Sequence, residues 1–177
     1  MNLEFTQNRT NGGSNLILIK QLFQKKMRKG SMTIPNEILS GQTLQRFIEA
    51  QDKCYERVIK ELSQGKKTTH WIWYIFPQVF GLGFSDYSKY YGIHGLVEAK
   101  SYWSNSLLRA RYLECLELVI DAGDIPEAIL GFVDAKKLQS SITLFLEVDP
   151  CSEFLINALD SLYFGELDSK TIEILMM

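Results

Sequence analysis

The side chains able to do chemistry are concentrated in His70-Trp71-Ile72-Trp73-Tyr74-Ile75-Phe76-Pro77-Gln78, followed by Gly81-Leu82-Gly83. An imidazole such as His70 can move a proton near neutral pH, which makes it a candidate general acid or base. The indoles of Trp71 and Trp73 can stack on a flat ring. On a helix they lie on different faces, so one of them lines a cavity and the other joins the core. Gln78, in the restricted backbone beside Pro77, can read an amide or a base edge. Apolar walls with a few convergent polar groups are the composition of a ligand pocket. The plainer alternatives are a structural histidine, two core tryptophans and a glutamine bonded to its own backbone.

A second cluster lies in the run from Asp134 to Phe145. Lys137 with Ser140 and Ser141 offers charged and hydroxyl donors suited to a phosphate or carboxylate. Asp134 reads either as a helix N-cap or as a carboxylate partner for His70. Gln51, on one helix with Asp52 and Tyr55, can complete a polar rim. Other chemistries find no support. Two histidines and no His-Glu-x-x-His pattern argue against a metal site, and no cofactor is implied. Cys54, Cys115 and Cys151 have no zinc spacing and an odd count, so reduced, mostly buried thiols are expected. No Gly-x-Ser-x-Gly elbow occurs, and Gly81-Leu82-Gly83 is too short for a dinucleotide or P-loop fingerprint.

Helices must position these groups. Phe47, Ala50, Cys54, Val58 and Leu62 recur at spacings of three and four, which predicts one helix from Thr43 to the Gly65 stop. Residues 71–76 suit a strand or a buried helix by composition, and Pro77 ends either. Further helices are predicted over Leu96–Tyr102, Ser106–Ala122, Pro126–Leu130, the run after Asp134, and Ser152–Phe164. The segment Ser85–Gly92 reads as a short helix or loop over the pocket. Residues 1–43 form a basic extension in which Leu16–Met27 can make a short amphipathic helix, and Met32 offers an alternative start. Residues 44–177 make the main domain. The expected architecture is all-α: a compact single-domain helical fold with a central aromatic-rich segment and an N-terminal extension.

Composition limits the partners. With 177 residues, 46% of them hydrophobic, the chain can bury a sizeable core without staples. The net charge of -2 divides into +4 for residues 1–43 and -6 for the rest. An acidic main domain makes nucleic acid a poor partner. No apolar run reaches the length needed to span a bilayer, and the order of apolar and basic residues near the start is not that of a signal peptide. The expected location is the cytoplasm. Oligomeric state is open.

Gln51 with Tyr55, the His70–Gln78 motif, Gly81-Leu82-Gly83, Tyr90-Gly92-Ile93, Glu98-Ala99, Ile129-Leu130-Gly131, Asp134, and the run Lys137-Leu138-x-Ser140-Ser141-x-Thr143-Leu144-Phe145 resemble the uncharacterised family called domain of unknown function 1810. The resemblance spans about residues 44–173. It implies a mainly helical single domain and a helical aromatic segment near His70, and it carries no assigned reaction. The chain departs from the family at Ser104-Asn105-Ser106, where a His-Pro pair is common. Two functional readings stand. One is a small-molecule site for a nucleotide, an ADP-ribose-related compound or another phosphorylated, ring-bearing ligand. Trp71 or Trp73 would stack, Gln51 or Gln78 would read an edge, and Lys137 with Ser140 or Ser141 would hold oxygens. A hydrolase of that class would use His70 with Asp134. The other is a noncatalytic protein-interaction or scaffold domain.

Overall fold

The computed structural model describes residues 42–177, and the expectations for residues 1–41 lie outside that range. Within it run α1 (Gln42–Asp52), α2 (Tyr55–Ser63), α3 (Ile72–Ile75), α4 (Asp86–Tyr90), α5 (Gly95–Ser104), α6 (Ser106–Asp121), α7 (Pro126–Leu130), α8 (Phe132–Val148), α9 (Glu153–Tyr163) and α10 (Ser169–Met176). The β pairing found among the described residues is one isolated parallel bridge, Val79 to Ile93. The all-α reading holds, and so does the helical reading of the aromatic segment.

Helix α8 is the axis. It touches α3, α5, α7, α9 and α10, and every residue from Leu138 to Leu146 on it is buried. A helix apolar on most sides must be enclosed. Its buried polar groups tie the neighbouring turn. Gln139 Nε2 donates to the Glu166 carbonyl at 2.9 Å, and Thr143 Oγ1 accepts from Asp168 N at 2.9 Å. Asp168 in turn caps α10 through Thr171 N. Around α8 and its own fully buried Phe145 pack the fully buried rings of Phe47, Trp71, Phe76, Tyr102 and Tyr112. Phe145 meets Trp103 at 4.8 Å and Tyr112 at 4.9 Å. Each such ring contributes roughly 1.5–3 kcal/mol by burial.

Two local expectations need correction. The predicted helix from Thr43 to Gly65 is two helices, parted between Asp52 and Tyr55. No Gly or Pro marks the break. Arg111 of α6 grips both sides of it, with Nη2 at 2.7 Å from Asp52 Oδ1 and its guanidinium 4.7 Å from the Tyr55 ring centroid. The second concerns Asp134. Gly131, with φ of 82°, occupies the N-cap of α8, which leaves Asp134 inside the first turn. Asn105, at the departure from the family pattern, caps α6 by accepting from the backbone N–H groups of Leu107 and Leu108.

The Val79–Ile93 bridge closes a strap around α4. Phe80 N donates to the Ile93 carbonyl and Ile93 N to the Gln78 carbonyl, each at 2.9 Å. Gly92 is required at this crossing, because a Cβ there would lie 2.8 Å from the Ser88 carbonyl oxygen and 3.0 Å from Phe80 Cα.

Candidate functional site

Two residues of the aromatic motif point opposite ways. Trp71 is the N-cap of α3 and Trp73 lies within it, and the two rings face different neighbours. Trp71 is 1% exposed and its Nε1 donates to Glu61 Oε2 at 2.8 Å. Trp73 is half-buried and its Nε1 donates to Ser88 Oγ at 3.2 Å. The Tyr87 ring lies 5.0 Å from the Trp73 ring at 31°.

Each indole carries a lysine. Lys67 Nζ lies 5.2 Å from the Trp71 ring centroid, and Lys137 Nζ lies 4.2 Å from that of Trp73. Both ammonium groups meet on Asp134, Lys67 at 2.6 Å to Oδ2 and Lys137 at 2.8 Å to Oδ1. The three side chains are 7%, 17% and 16% exposed for Lys67, Lys137 and Asp134, so solvent screening between them is weak. Burial would push the Asp134 carboxyl up. The hydrogen bonds and charges of Lys137 and Lys67 outweigh it and hold the group below its usual range. Two cations on one anion leave an excess positive charge, and each ammonium has donors to spare.

The sequence candidates divide around this cluster. Lys137, Asp134 and Trp73 come together. Gln78 adjoins Trp73 alone of these, at the strap, where it lines a cleft with Trp73, Gly83, Ser88, Tyr91 and Gly92; the cleft's 10 Å³ has room for about one water. The Gln78 side-chain amide bonds to none of the described residues. Gln51 is fully buried and spent on structure, donating to the Tyr74 carbonyl at 2.8 Å and accepting from Arg111 Nη1 at 3.4 Å. Ser140 is buried and donates to the Lys136 carbonyl at 3.0 Å. Ser141 is fully enclosed, and neither its hydroxyl nor that of Tyr112 has a hydrogen-bond partner among the described residues. His70 is exposed, and its backbone carbonyl accepts from the Tyr74 hydroxyl at 3.3 Å. No hydrogen bond or ion pair joins the His70 imidazole to Asp134.

Sequence reasoning passed over Lys67, Ser88 and Glu61. A signal existed for the first, since Lys66-Lys67 stands between the Gly65 stop and the aromatic motif. Larger recesses lie elsewhere among the described residues. One of 590 Å³ opens at the α1–α2 break beside Lys53, Tyr55, Arg57 and Arg111, and one of 440 Å³ lies over Trp103, Arg109 and Leu113. Among the described residues no three of His, Cys, Asp and Glu are grouped to hold a metal ion, and no helix is long and apolar enough to cross a membrane.

A family model described as "protein of unknown function (DUF1810)" matches residues 41–175. The chain belongs to the DUF1810 family. That DUF1810 match contains the whole Lys67–Asp134–Lys137 cluster and both tryptophans. The crystal structure of the conserved hypothetical protein Rv1873 from Mycobacterium tuberculosis is similar, at 39% sequence identity and a TM-score of 0.73, covering 76% of this chain and 96% of that one. The comparison with curated proteins gave no match.

Proposed function

We propose that this protein binds a small anionic, ring-bearing molecule, of the class of nucleotides and ADP-ribose-related compounds, at the Lys67–Asp134–Lys137 cluster. The observation that carries the reading is the pair of largely buried ammonium groups sharing one carboxylate beside Trp73. A phosphate there meets donors already oriented, in surroundings where charge is poorly screened. Trp73 is engaged by both Lys137 and Tyr87. A ligand ring therefore stacks on the half-exposed Tyr87 side of the strap or displaces Lys137. Gln78, whose amide bonds to none of the described residues, is the residue suited to edge recognition. The oxygen-binding role first given to Ser140 and Ser141 passes to Lys67 and Ser88, because the two α8 serines are buried. The site supports binding more strongly than proton transfer, since Asp134 is held ionised by two lysines and has no bond to His70.

Calorimetric titration with AMP, ADP-ribose, ribose 5-phosphate and the uncharged nucleoside tests this. Saturable binding of the phosphorylated compounds, absent for the nucleoside and lost in Lys137→Ala and Lys67→Ala, is expected. Binding that survives both substitutions, or none across the series, sinks the proposal. A second reading, docking of a protein partner, draws on the strap, where Phe80, Phe84, Tyr87 and Tyr90 are 41–87% exposed.

A further inference from the structure

We infer that Glu61 is the positioning residue of this site, a buried carboxylate that fixes the loop delivering Lys67 at one end and Trp73 at the other. The inference rests on the anion-binding reading above. Glu61 sits on the inner face of α2 and is 6% exposed. Its Oε2 accepts from Thr68 N at 2.8 Å, Thr69 N at 3.1 Å and Trp71 Nε1 at 2.8 Å. Its Oε1 accepts from Thr69 Oγ1 at 2.7 Å. All four donors lie between Lys67 and Trp73 in the chain. The near end of the loop is held separately, by Lys66 N on the Glu61 carbonyl at 3.0 Å and Lys67 N on the Ile129 carbonyl at 2.8 Å.

A buried carboxylate without a cation is expensive unless hydrogen bonds replace its water. Glu61 forms no ion pair with a described residue. Burial alone would push its carboxyl up, but the bonds from Thr68, Trp71 and Thr69 hold it down to about 2. The conformation of residues 68–71 aims four donors at those two oxygens, so the charge favours that conformation. Its consequence passes outward in contact steps. Glu61 holds the Trp71 indole, whose face meets Lys67. Lys67 then meets Asp134, and Asp134 orients Lys137 over Trp73.

The test is the rate at which individual lysines of the full chain react with acetic anhydride, read by mass spectrometry, with exposed Lys100 as internal reference. Glu61→Met removes every acceptor. Glu61→Gln keeps an oxygen for the three N–H donors and turns an amide toward Thr69 Oγ1, which can accept instead of donate. Lys67 and Lys137 should acylate several-fold faster in Glu61→Met, return close to the unsubstituted rate in Glu61→Gln, and leave Lys100 unchanged in both. An unaltered Lys67 rate in folded Glu61→Met, an equal rise at all three lysines, or no rescue by Gln overturns the inference. Should Glu61→Met fail to fold, Thr69→Val, which removes a single bond, decides it: a faster Lys67 against a constant Lys100 supports positioning, and an unchanged Lys67 refutes it. Titrating AMP into the same proteins separates the two ideas. Absence of binding by the unsubstituted chain defeats the anion site, while the lysine rates still judge Glu61.

Discussion

Trp71 and Trp73 are two residues apart, each donates its indole N–H to an oxygen, and each carries a lysine ammonium near its ring. The first is sealed into the core against a charged acceptor, Glu61, and the second is half-buried against a neutral one, Ser88. Asp134 joins their two lysines. The contrast teaches that one short motif supplies both a buried anchor and a half-exposed face. Trp71, at the N-cap of α3, sends its ring inward, and Trp73, within that single turn, sends its own toward the strap.

The strongest way to break this contrast is to truncate the two rings in turn. Trp71→Ala should lower unfolding stability by about 3–5 kcal/mol, the range for a large ring lost from a packed core. Trp73→Ala should cost less than half as much, and equal losses in urea denaturation would erase the distinction. Asp134→Asn comes next, at about 2 kcal/mol, because two partly buried ammonium groups lose their shared anion. That loss should shrink in high salt, and a loss indifferent to salt would argue against electrostatics as its source.

Acid sharpens the comparison further. Both Glu61 and Asp134 are held below their ordinary carboxylate values in the fold. Their contribution is therefore complete above the unfolded carboxylate range and is lost as pH falls through the folded values. For Glu61 the window runs from 4.5 down to about 2. Melting temperature should fall more steeply across that window in the unsubstituted chain than in Glu61→Gln, and parallel curves would deny Glu61 this role. The smallest effects belong to the surface. Ser88→Ala should cost about 0.5–1.5 kcal/mol, the worth of one hydrogen bond. His70→Gln should stay within about 0.5 kcal/mol, as an exposed side chain does, and a larger change in melting would show a structural duty for the imidazole.

Much of the fold was legible in the residues. Pro126 and Gly131 bracket α7 as expected, and of the apolar stripe that helical spacing predicts through Leu107, Leu108, Tyr112, Cys115, Leu116 and Val119, all but Leu107 form the buried face of α6, Leu107 being 41% exposed. The break between α1 and α2 was not legible, because a residue 60 positions away, Arg111, takes hold of Gln51 at that point. Gln51 itself looked like a rim group and is fully enclosed, since polar side chains enter a core when backbone carbonyls and other side chains satisfy them. Ser140 and Ser141 stood beside Lys137 in sequence, yet neither is exposed. Helical rotation places neighbours in sequence on different faces, and α8 has neighbours on most of its circumference.

By itself the sequence determined a helical domain, membership in a family through the aromatic motif, and the presence of Lys137, Asp134 and Trp73 as residues able to meet an anion. Periodicity, helix stops and residue chemistry are local properties and can be read locally. Only the tertiary structure decided that Asp134 answers to two lysines and not to His70, that Lys67 belongs to the cluster, and that Glu61 braces the loop between them. Those pairings join α2, the loop before α3, and α8. Their existence depends on which helix faces the packing of α8 brings together, a property no local spacing contains.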